Sequence, residues 1–202
     1  MKNLSEAKVA TRERIVVAAV KLFADEGWER TTTRELAAAA GIATGTLFNY
    51  FQSKEAVVAA LVSEALAAVQ PEFEGQSLEE DLFSLIWTGL KSLGKLRKVL
   101  ASAAETIFSP LARSSQQCAG DSIRVHHLEL VQQIVTSHGV PGLLPAVTMQ
   151  LYWTLYMGVF AFWAADESPN QEDTLALLDQ TLKLFAGSLT KLTGGNHGRE
   201  SE

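Results

Sequence analysis

The chain has 202 residues, of which 47% are hydrophobic and 20% charged, a composition typical of a soluble globular protein of one or two domains. Its single cysteine, Cys118, excludes an intramolecular disulfide framework and fits a reducing compartment. The first residues lack the apolar run of a secretory signal, so we expect a cytoplasmic protein.

The net charge of −6 is unevenly distributed along the chain. Residues 1–54 hold eight Lys/Arg and six Asp/Glu, whereas the remainder holds nine and seventeen. A mildly basic N-terminal part on an otherwise acidic chain is the asymmetry expected when one part of a protein binds the phosphates of a nucleic acid.

Helical periodicity recurs along the chain, and no window alternates apolar and polar residues as a strand would, so we expect an all-α fold of about nine helices. The first helix carries the stripe Ile15, Ala18, Ala19, Leu22 and Phe23, and ends near Gly27. Thr32 and Glu35 form the sequence pattern of a capping box, which predicts a short helix up to Ala40. Gly41 ends that helix, and another short helix is expected over 44–51.

Ser53 is expected to cap a longer amphipathic helix that ends before Pro71. Ser77 and Glu80 repeat the capping pattern, Gly94 separates two further helices, and another helix ends at Gly139. Ser168-Pro169-Asn170 precedes a last helix, and the Gly-rich tail 194–202 is expected to be disordered.

No ionised side chain lies between His138 and Asp166, a stretch long enough to span a bilayer. Two prolines near its start and the absence of flanking Lys/Arg clusters favour a helix buried in a protein interface instead. We therefore expect no membrane insertion.

Two short helices joined by a tight glycine-containing turn describe a helix-turn-helix. Ala37 and Gly41 supply the small residues needed where the helices cross, and the second helix exposes a polar and aromatic surface over 44–50 that fits a major groove. A helical hairpin without any role in DNA binding has the same spacing, so the spacing alone leaves both interpretations open.

The segment TTTRELAAAAGIATGTLFNYFQSKE over residues 31–55 resembles the DNA-binding signature of TetR-family regulators. The preceding AVKLFADEGW over residues 19–28 is similar to the first helix of that family. The resemblance covers about residues 11–60 and implies a three-helix DNA-binding domain over 1–54, followed by a helical effector-binding and dimerisation domain over 55–193.

The resemblance assigns roles residue by residue. Thr33 and Arg34 would contact phosphate, and Lys54 would clamp the DNA backbone. In the recognition helix, phosphate and base contacts would come from Thr44, Gly45, Thr46, Phe48, Asn49 and Tyr50, with Asn49 the candidate for base edges. Leu47 and Phe51 are expected in the core.

Two positions depart from the family pattern. Ala43 stands where a capping serine is usual, and we expect Thr44 to take over the cap. Phe48 replaces a more common tyrosine, which removes a hydroxyl that can contact phosphate. Both departures alter the contact surface and leave the family resemblance intact.

By resemblance, the second domain binds a small effector and dimerises through its last two helices. The aromatic composition weakly favours a hydrophobic or aromatic effector. The candidate pocket residues are Phe83, Trp87, Phe108, His127, Tyr152, Trp153 and Tyr156. The candidate residues of the dimer interface are Leu151, Leu155, Val159, Phe162, Leu178, Leu182, Phe185 and Leu189.

No catalytic motif is present, and the adjacent His126 and His127 cannot chelate one ion from one helix face, so we expect no enzymatic activity, cofactor or metal. The sequence therefore predicts a homodimeric repressor of operator DNA, whose effector shifts the helix that starts at Lys54. An activator is the alternative within this class, and a helical protein-interaction module is the alternative outside it.

Overall fold

The computed structural model describes residues 2–69, 73, 75, 77–108 and 117–194, and the side chains of 6–69, 73, 75, 77–103 and 123–189. This part of the chain contains no strand and confirms the all-α prediction. Its nine α-helices are α1 (Lys2–Asp25), α2 (Thr33–Ala39), α3 (Thr44–Phe48), α4 (Lys54–Ala67), α5 (Leu78–Ser92), α6 (Arg97–Phe108), α7 (Gln117–Ser137), α8 (Ala146–Ala165) and α9 (Glu172–Gly194). Short 3-10 turns at Gly94–Leu96 and Pro169–Gln171 precede α6 and α9.

The contacts divide the chain into two compact units. The first unit comprises Met1–Ala68 and Leu93–Ile123, and in it α1 packs against α2 and α4, α2 against α3, and α4 against α6. The second unit comprises Val69–Ser92 and Arg124–Glu202, and in it α9 packs against α5 and α8. The predicted division after residue 54 stays a prediction, and the predicted disordered tail lies outside the described residues beyond Gly194.

The core of the first unit is built from the predicted apolar stripes. Ile15, Ala19 and Phe23 of α1 are buried. Leu36 of α2 and Leu47 of α3 are completely buried in the same unit, where α2 packs against both α1 and α3. Each short helix has too few residues to be stable alone. Packing of these side chains therefore holds α2 and α3 in place.

The start of α2 is fixed by a complete capping box, as the sequence predicts. The Thr32 hydroxyl accepts the Glu35 amide at 3.3 Å, and the Glu35 carboxylate accepts the Thr32 amide at 2.8 Å. The hydrogen bonds that the Thr32 amide and hydroxyl donate to the Glu35 carboxylate lower the pKa of Glu35. The charged carboxylate is therefore the form that the folded state stabilises, and this contribution is lost as the pH falls through the carboxyl range.

Replacing Thr32 by alanine should lower the free energy of unfolding by about 1 kcal/mol, because one end of the capping box disappears. Urea denaturation at neutral pH measures the change. Thr33→Ala is the matched control, since Thr33 is the first helical residue and has no part in the box. Equal losses in the two variants would contradict a specific role for the cap.

The connection into α9 is held by Asp166, which follows α8. Its carboxylate accepts the amides of Ser168 and Thr174 at 2.8 and 3.0 Å and also the Thr174 hydroxyl. Hydrogen bonds from Thr174 and Ser168 hold the pKa of Asp166 far below its usual range. The fixed corner sets the direction in which α9 returns along α8.

Candidate functional site

The helix-turn-helix of the first unit is formed by α2, a turn at Gly41 and α3. Gly41 has a φ of +66°, a left-handed conformation that glycine adopts without strain. Its amide donates to Ala38 O and the Ile42 amide donates to Ala37 O, both at 3.0 Å, which is the pattern of a Schellman motif. The tight turn that the sequence predicts is therefore confirmed.

Helix α3 is shorter than the predicted 44–51 and ends at Phe48. The Asn49 and Tyr50 amides bond back three residues, to Thr46 O at 3.1 Å and Leu47 O at 2.9 Å, which tightens the end of the helix. Extended backbone at Ser53 then caps α4, with the Ser53 hydroxyl accepting the Ala56 amide. The need to reach this cap is the physical reason for the early end of α3.

The start of α3 has Ala43 as its N-cap, and no side chain caps it. The expected takeover by Thr44 is wrong, because Thr44 is already the first helical residue. The absence of a capping hydroxyl leaves the first amides of α3 without a side-chain acceptor from the cap position.

The predicted DNA-contact residues divide by exposure. Arg34, Gly45, Phe48 and Asn49 are exposed, and Phe48 is 47% exposed despite its large apolar ring. The half-buried members of the set are Thr33, Thr44, Thr46, Tyr50 and Lys54. Leu47 and Phe51 are buried, as predicted for core residues.

Lys54, the first residue of α4, is held against the loop between α1 and α2. Its ammonium donates to Trp28 O at 2.9 Å and lies 4.1 Å from the centre of the Trp28 ring. A carbonyl hydrogen bond and a cation–π contact thus fix the charge at the surface of the unit. An ammonium has three N–H donors, so this geometry leaves capacity for a second acceptor.

A link between α1 and α4 was not foreseen from the sequence. Arg12 forms an ion pair with Glu64, and its guanidinium also lies 5.5 Å from the centre of the Phe51 ring. The two paired residues are 52 positions apart, and no local pattern connects them. Arg12 therefore stabilises the packing of α1 against α4 and also contributes to the positive charge of residues 1–54.

Four of the seven candidate pocket residues form one aromatic cluster in the second unit. The ring of His127, on α7, lies 4.3 Å from that of Tyr156, 5.7 Å from that of Tyr152 and 6.1 Å from that of Trp153, all three on α8. His127 Nε2 and the Tyr152 hydroxyl share a hydrogen bond of 2.9 Å. Phe83 and Trp87 are half-buried on α5, and the Phe108 side chain lies outside the described residues.

Burial controls the ionisation of this cluster. It lowers the pKa of His127 to about 3, with a smaller effect of the neighbouring His126. It also raises the pKa of Tyr152 well above its usual value, and that of Tyr156 likewise. All three groups are therefore neutral near pH 7, which keeps a polar hydrogen bond within an otherwise apolar cluster.

The candidate residues of the dimer interface fall into two groups. Leu151 and Phe162 of α8 are 43% and 42% exposed, and Leu155 is half-buried. The others are buried within this single chain: Val159, Leu178, Leu182, Phe185 and Leu189. Among the described residues of α9, Leu184 is a large apolar residue that is 69% exposed, and it is not among the residues predicted from the sequence.

Helix α8 contains no Asp, Glu, Lys or Arg. Nevertheless, in the described part of the chain no helix combines the length and the apolar character that crossing a membrane requires.

Residues 15–61 match the family model described as "Bacterial regulatory proteins, tetR family". They include α2, the turn at Gly41, α3 and the start of α4. This segment of the chain is similar to the DNA-binding segment of TetR-family regulators. The resemblance inferred from residues 11–60 is thus confirmed.

Curated relatives match part of the chain. The HTH-type transcriptional repressor KstR2 of Rhodococcus jostii (strain RHA1) is 31% identical over 103 residues, or 51% of this chain and 46% of the relative. The A-factor receptor protein of Streptomyces griseus is 38% identical over 71 residues, or 35% of this chain and 26% of the relative. The matches therefore span less than half the length of these two relatives.

Solved structures extend the likeness to most of the chain. The FadR repressor of Thermus thermophilus, in complex with lauroyl-CoA, has a TM-score of 0.62 and 25% identity over 87% of this chain and 93% of that one. A TetR regulator from Rhodococcus sp. RHA1 has a TM-score of 0.65 over 90% of this chain and 97% of that one, but only 20% identity, which shows the fold alone.

Proposed function

We propose that this chain is a cytoplasmic, non-enzymatic repressor of the TetR family that binds operator DNA as a homodimer and is released by a small hydrophobic effector. The observation that carries the proposal is the helix-turn-helix itself. Its α2 and α3 are held by a buried core, while Arg34, Gly45 and Asn49 remain exposed on the segment that matches the family model.

Within this proposal, Thr33, Arg34, Tyr50 and Lys54 hold the phosphate backbone, and Asn49 reads base edges in the major groove. Thr44, Gly45, Thr46 and Phe48 bring the start and the exposed face of α3 close to the DNA. In the part of the chain that the structure describes, Arg34 forms no ion pair, so its charge is available to phosphate.

The test is fluorescence anisotropy with labelled duplex DNA from upstream of the gene, at several salt concentrations. We expect sequence-specific binding that weakens linearly on a logarithmic scale as salt rises, because phosphate contacts release counterions. An absence of salt-sensitive binding to any duplex would favour the helical protein-interaction module instead. Increased transcription from the bound promoter would assign an activator rather than a repressor.

Lys54→Met should weaken binding to every DNA sequence alike, by roughly tenfold, and reduce the salt slope by about one unit, because one phosphate contact is lost. The variant should also melt at a lower temperature, since the contacts with Trp28 disappear. A purely structural role would lower the melting temperature without changing the salt slope. Lys98→Met removes the same charge from an exposed site on α6 and is the matched control.

A second copy of the chain is proposed to cover the uncharged exposed stripe of α8 together with Leu184 of α9. Leu151, Leu155 and Phe162 would supply the α8 part of that dimer interface. A two-fold symmetric operator requires two DNA-binding domains held at a fixed separation. Sedimentation velocity should show a dimer, and Phe162→Glu should shift it towards the monomer.

The effector is proposed to enter beside the aromatic cluster of the second unit, with Phe83, Trp87, His127, Tyr152, Trp153 and Tyr156 as its candidate lining; the side chain of the remaining candidate, Phe108, lies outside the described residues. The mainly apolar surface with one polar pair suits a hydrophobic or aromatic molecule. Because the Thermus thermophilus FadR structure holds lauroyl-CoA, long-chain acyl-CoA is the first probe to add to the protein–DNA complex. Release of the DNA by acyl-CoA or by an aromatic probe would distinguish the two effector classes.

Release requires the effector to bind the DNA-free conformation more tightly than the DNA-bound one. The proposed element of change is α4, which carries Lys54 at its first residue and packs against α1 and α6. A shift of α4 would alter the separation of the two recognition helices in the dimer and so lower their joint affinity.

A further inference from the structure

The face of α1 away from the buried Ile15, Ala19 and Phe23 exposes two valines among charged side chains. Val17 is 69% exposed and Val20 is 38% exposed. Neither belongs to the segments proposed to contact DNA. Val17, the more exposed of the two, offers an apolar contact to a second helix.

A groove of about 800 Å³ runs beside this face. Its walls come from α1 and from Ala39 and Ala40 at the end of α2, which is the opposite end of α2 from Thr33. The α1 residues that line it are Ala10, Glu13, Arg14, Val17, Ala18, Lys21, Leu22 and Asp25. The four alanines among the lining residues, Ala10, Ala18, Ala39 and Ala40, leave room for side chains from outside the unit.

The charges of this face have a definite order. Glu13, Val17 and Lys21 follow one another at intervals of four residues, so they lie along one stripe of the helix. Glu13 and Lys21 are exposed and have no ion pair within the described residues. Within the stripe itself, the negative Glu13 lies on one side of Val17 and the positive Lys21 on the other, while Arg14 and Asp25 line the groove beside the stripe.

We propose that a second copy of this chain docks its α1 antiparallel on this face, about a two-fold axis at Val17. Each residue a given number of positions before Val17 then lies opposite the residue the same number after it. Glu13 of each copy meets Lys21 of the other, and the two Val17 side chains meet on the axis. Ala10 lies opposite Ala24, so small residues flank the contact where the helices approach.

The charges of Glu13 and Lys21 favour an antiparallel over a parallel arrangement of the two helices. A parallel pair in register would place Glu13 against Glu13 and Lys21 against Lys21, which is repulsive. The antiparallel pair converts both contacts into attraction. The surface is distinct from the α8 and α9 surface proposed for the dimer, so it would join dimers to one another while leaving α3 free.

Cysteine cross-linking tests the geometry directly, in a Cys118→Ser background. Under mild oxidation, Val17→Cys should form a disulfide between copies, because equivalent residues on the axis are close enough for the bond. Ser63→Cys, at an exposed position of α4, is the matched control and should stay monomeric on a non-reducing gel. Glu13→Cys and Lys21→Cys should cross-link when mixed with each other and far less when either is oxidised alone.

Charge reversal tests the attraction by sedimentation velocity of the full chain. Glu13→Lys or Lys21→Glu should weaken the association of dimers into tetramers by roughly tenfold, and the double reversal should restore it. Because both side chains are exposed, the fold is expected to tolerate each change. Cross-linking of Val17→Cys no greater than that of Ser63→Cys, or no restoration by the double reversal, would overturn the proposal.

Discussion

Gly45→Glu should abolish operator binding while leaving the protein folded and at least as stable as the parent. Gly45 lies in the first turn of α3, is exposed, and has open space where a Cβ would stand. Glutamate forms helix more readily than glycine, by up to about 1 kcal/mol, and a negative charge near a helix start is favourable. The carboxylate would, however, face phosphate in the proposed complex, at a cost of roughly hundredfold or more in affinity.

The chain offers a matched control in Gly94. It is also exposed, stands at the start of a short helical turn in the same unit, and has open space around the position of a Cβ. Gly94→Glu makes the same change in net charge away from α2 and α3. Anisotropy with operator DNA should show near-parental affinity for this variant. If both glutamates weaken binding equally, the loss reflects net charge and α3 is not at the interface.

Local signals explain why so much of the first unit was predictable from the sequence. Thr32 with Glu35, Gly41 and Ser53 each determine backbone geometry within a few residues, and the structure confirms all three. The end of α3 was not predictable in the same way. It depends on how Phe51 turns into the core and how Ser53 reaches the cap of α4, and both are tertiary requirements.

The second unit was less predictable because an apolar helix face does not specify its partner. Leu178, Leu182 and Phe185 have the pattern of an interface stripe, but they are buried by the same chain. The exposed Leu184 lies between them in sequence and on another face of α9. Periodicity gives the faces of a helix, whereas the choice between core and interface is made by distant residues on α5 and α8.

The aromatic cluster was only partly predictable from the sequence. Its α8 members are near one another in sequence, so a shared face was predictable. The contact with His127 joins residues 25 positions apart, through a hydrogen bond that no local pattern indicates. Burial in this cluster lowers the pKa of His127, and we expect a large effect on stability from it.

His127 should make the folded state markedly less stable in mild acid. Its pKa is lowered to about 3 in the folded protein by burial, while the unfolded chain has an ordinary histidine pKa near 6.5. Between these values the unfolded state binds one more proton than the folded state. The stabilisation is therefore complete above about pH 6.5 and is lost as the pH falls towards 3, by about 2 kcal/mol at pH 5.

Urea denaturation at a series of pH values measures this effect in His127→Gln, whose side-chain amide can still pair with the Tyr152 hydroxyl. We expect the variant to lose the part of the pH dependence that corresponds to one proton between pH 3 and 6.5. His126→Gln is the matched control, because His126 is the exposed neighbour on the same helix and its replacement removes only the smaller of the two effects on the pKa of His127. Carboxylates such as Asp166 contribute in the same direction in every variant, so the difference between the two profiles isolates His127. Identical slopes in the two variants would show that His127 takes up its proton in the folded protein, which requires the cluster to admit water.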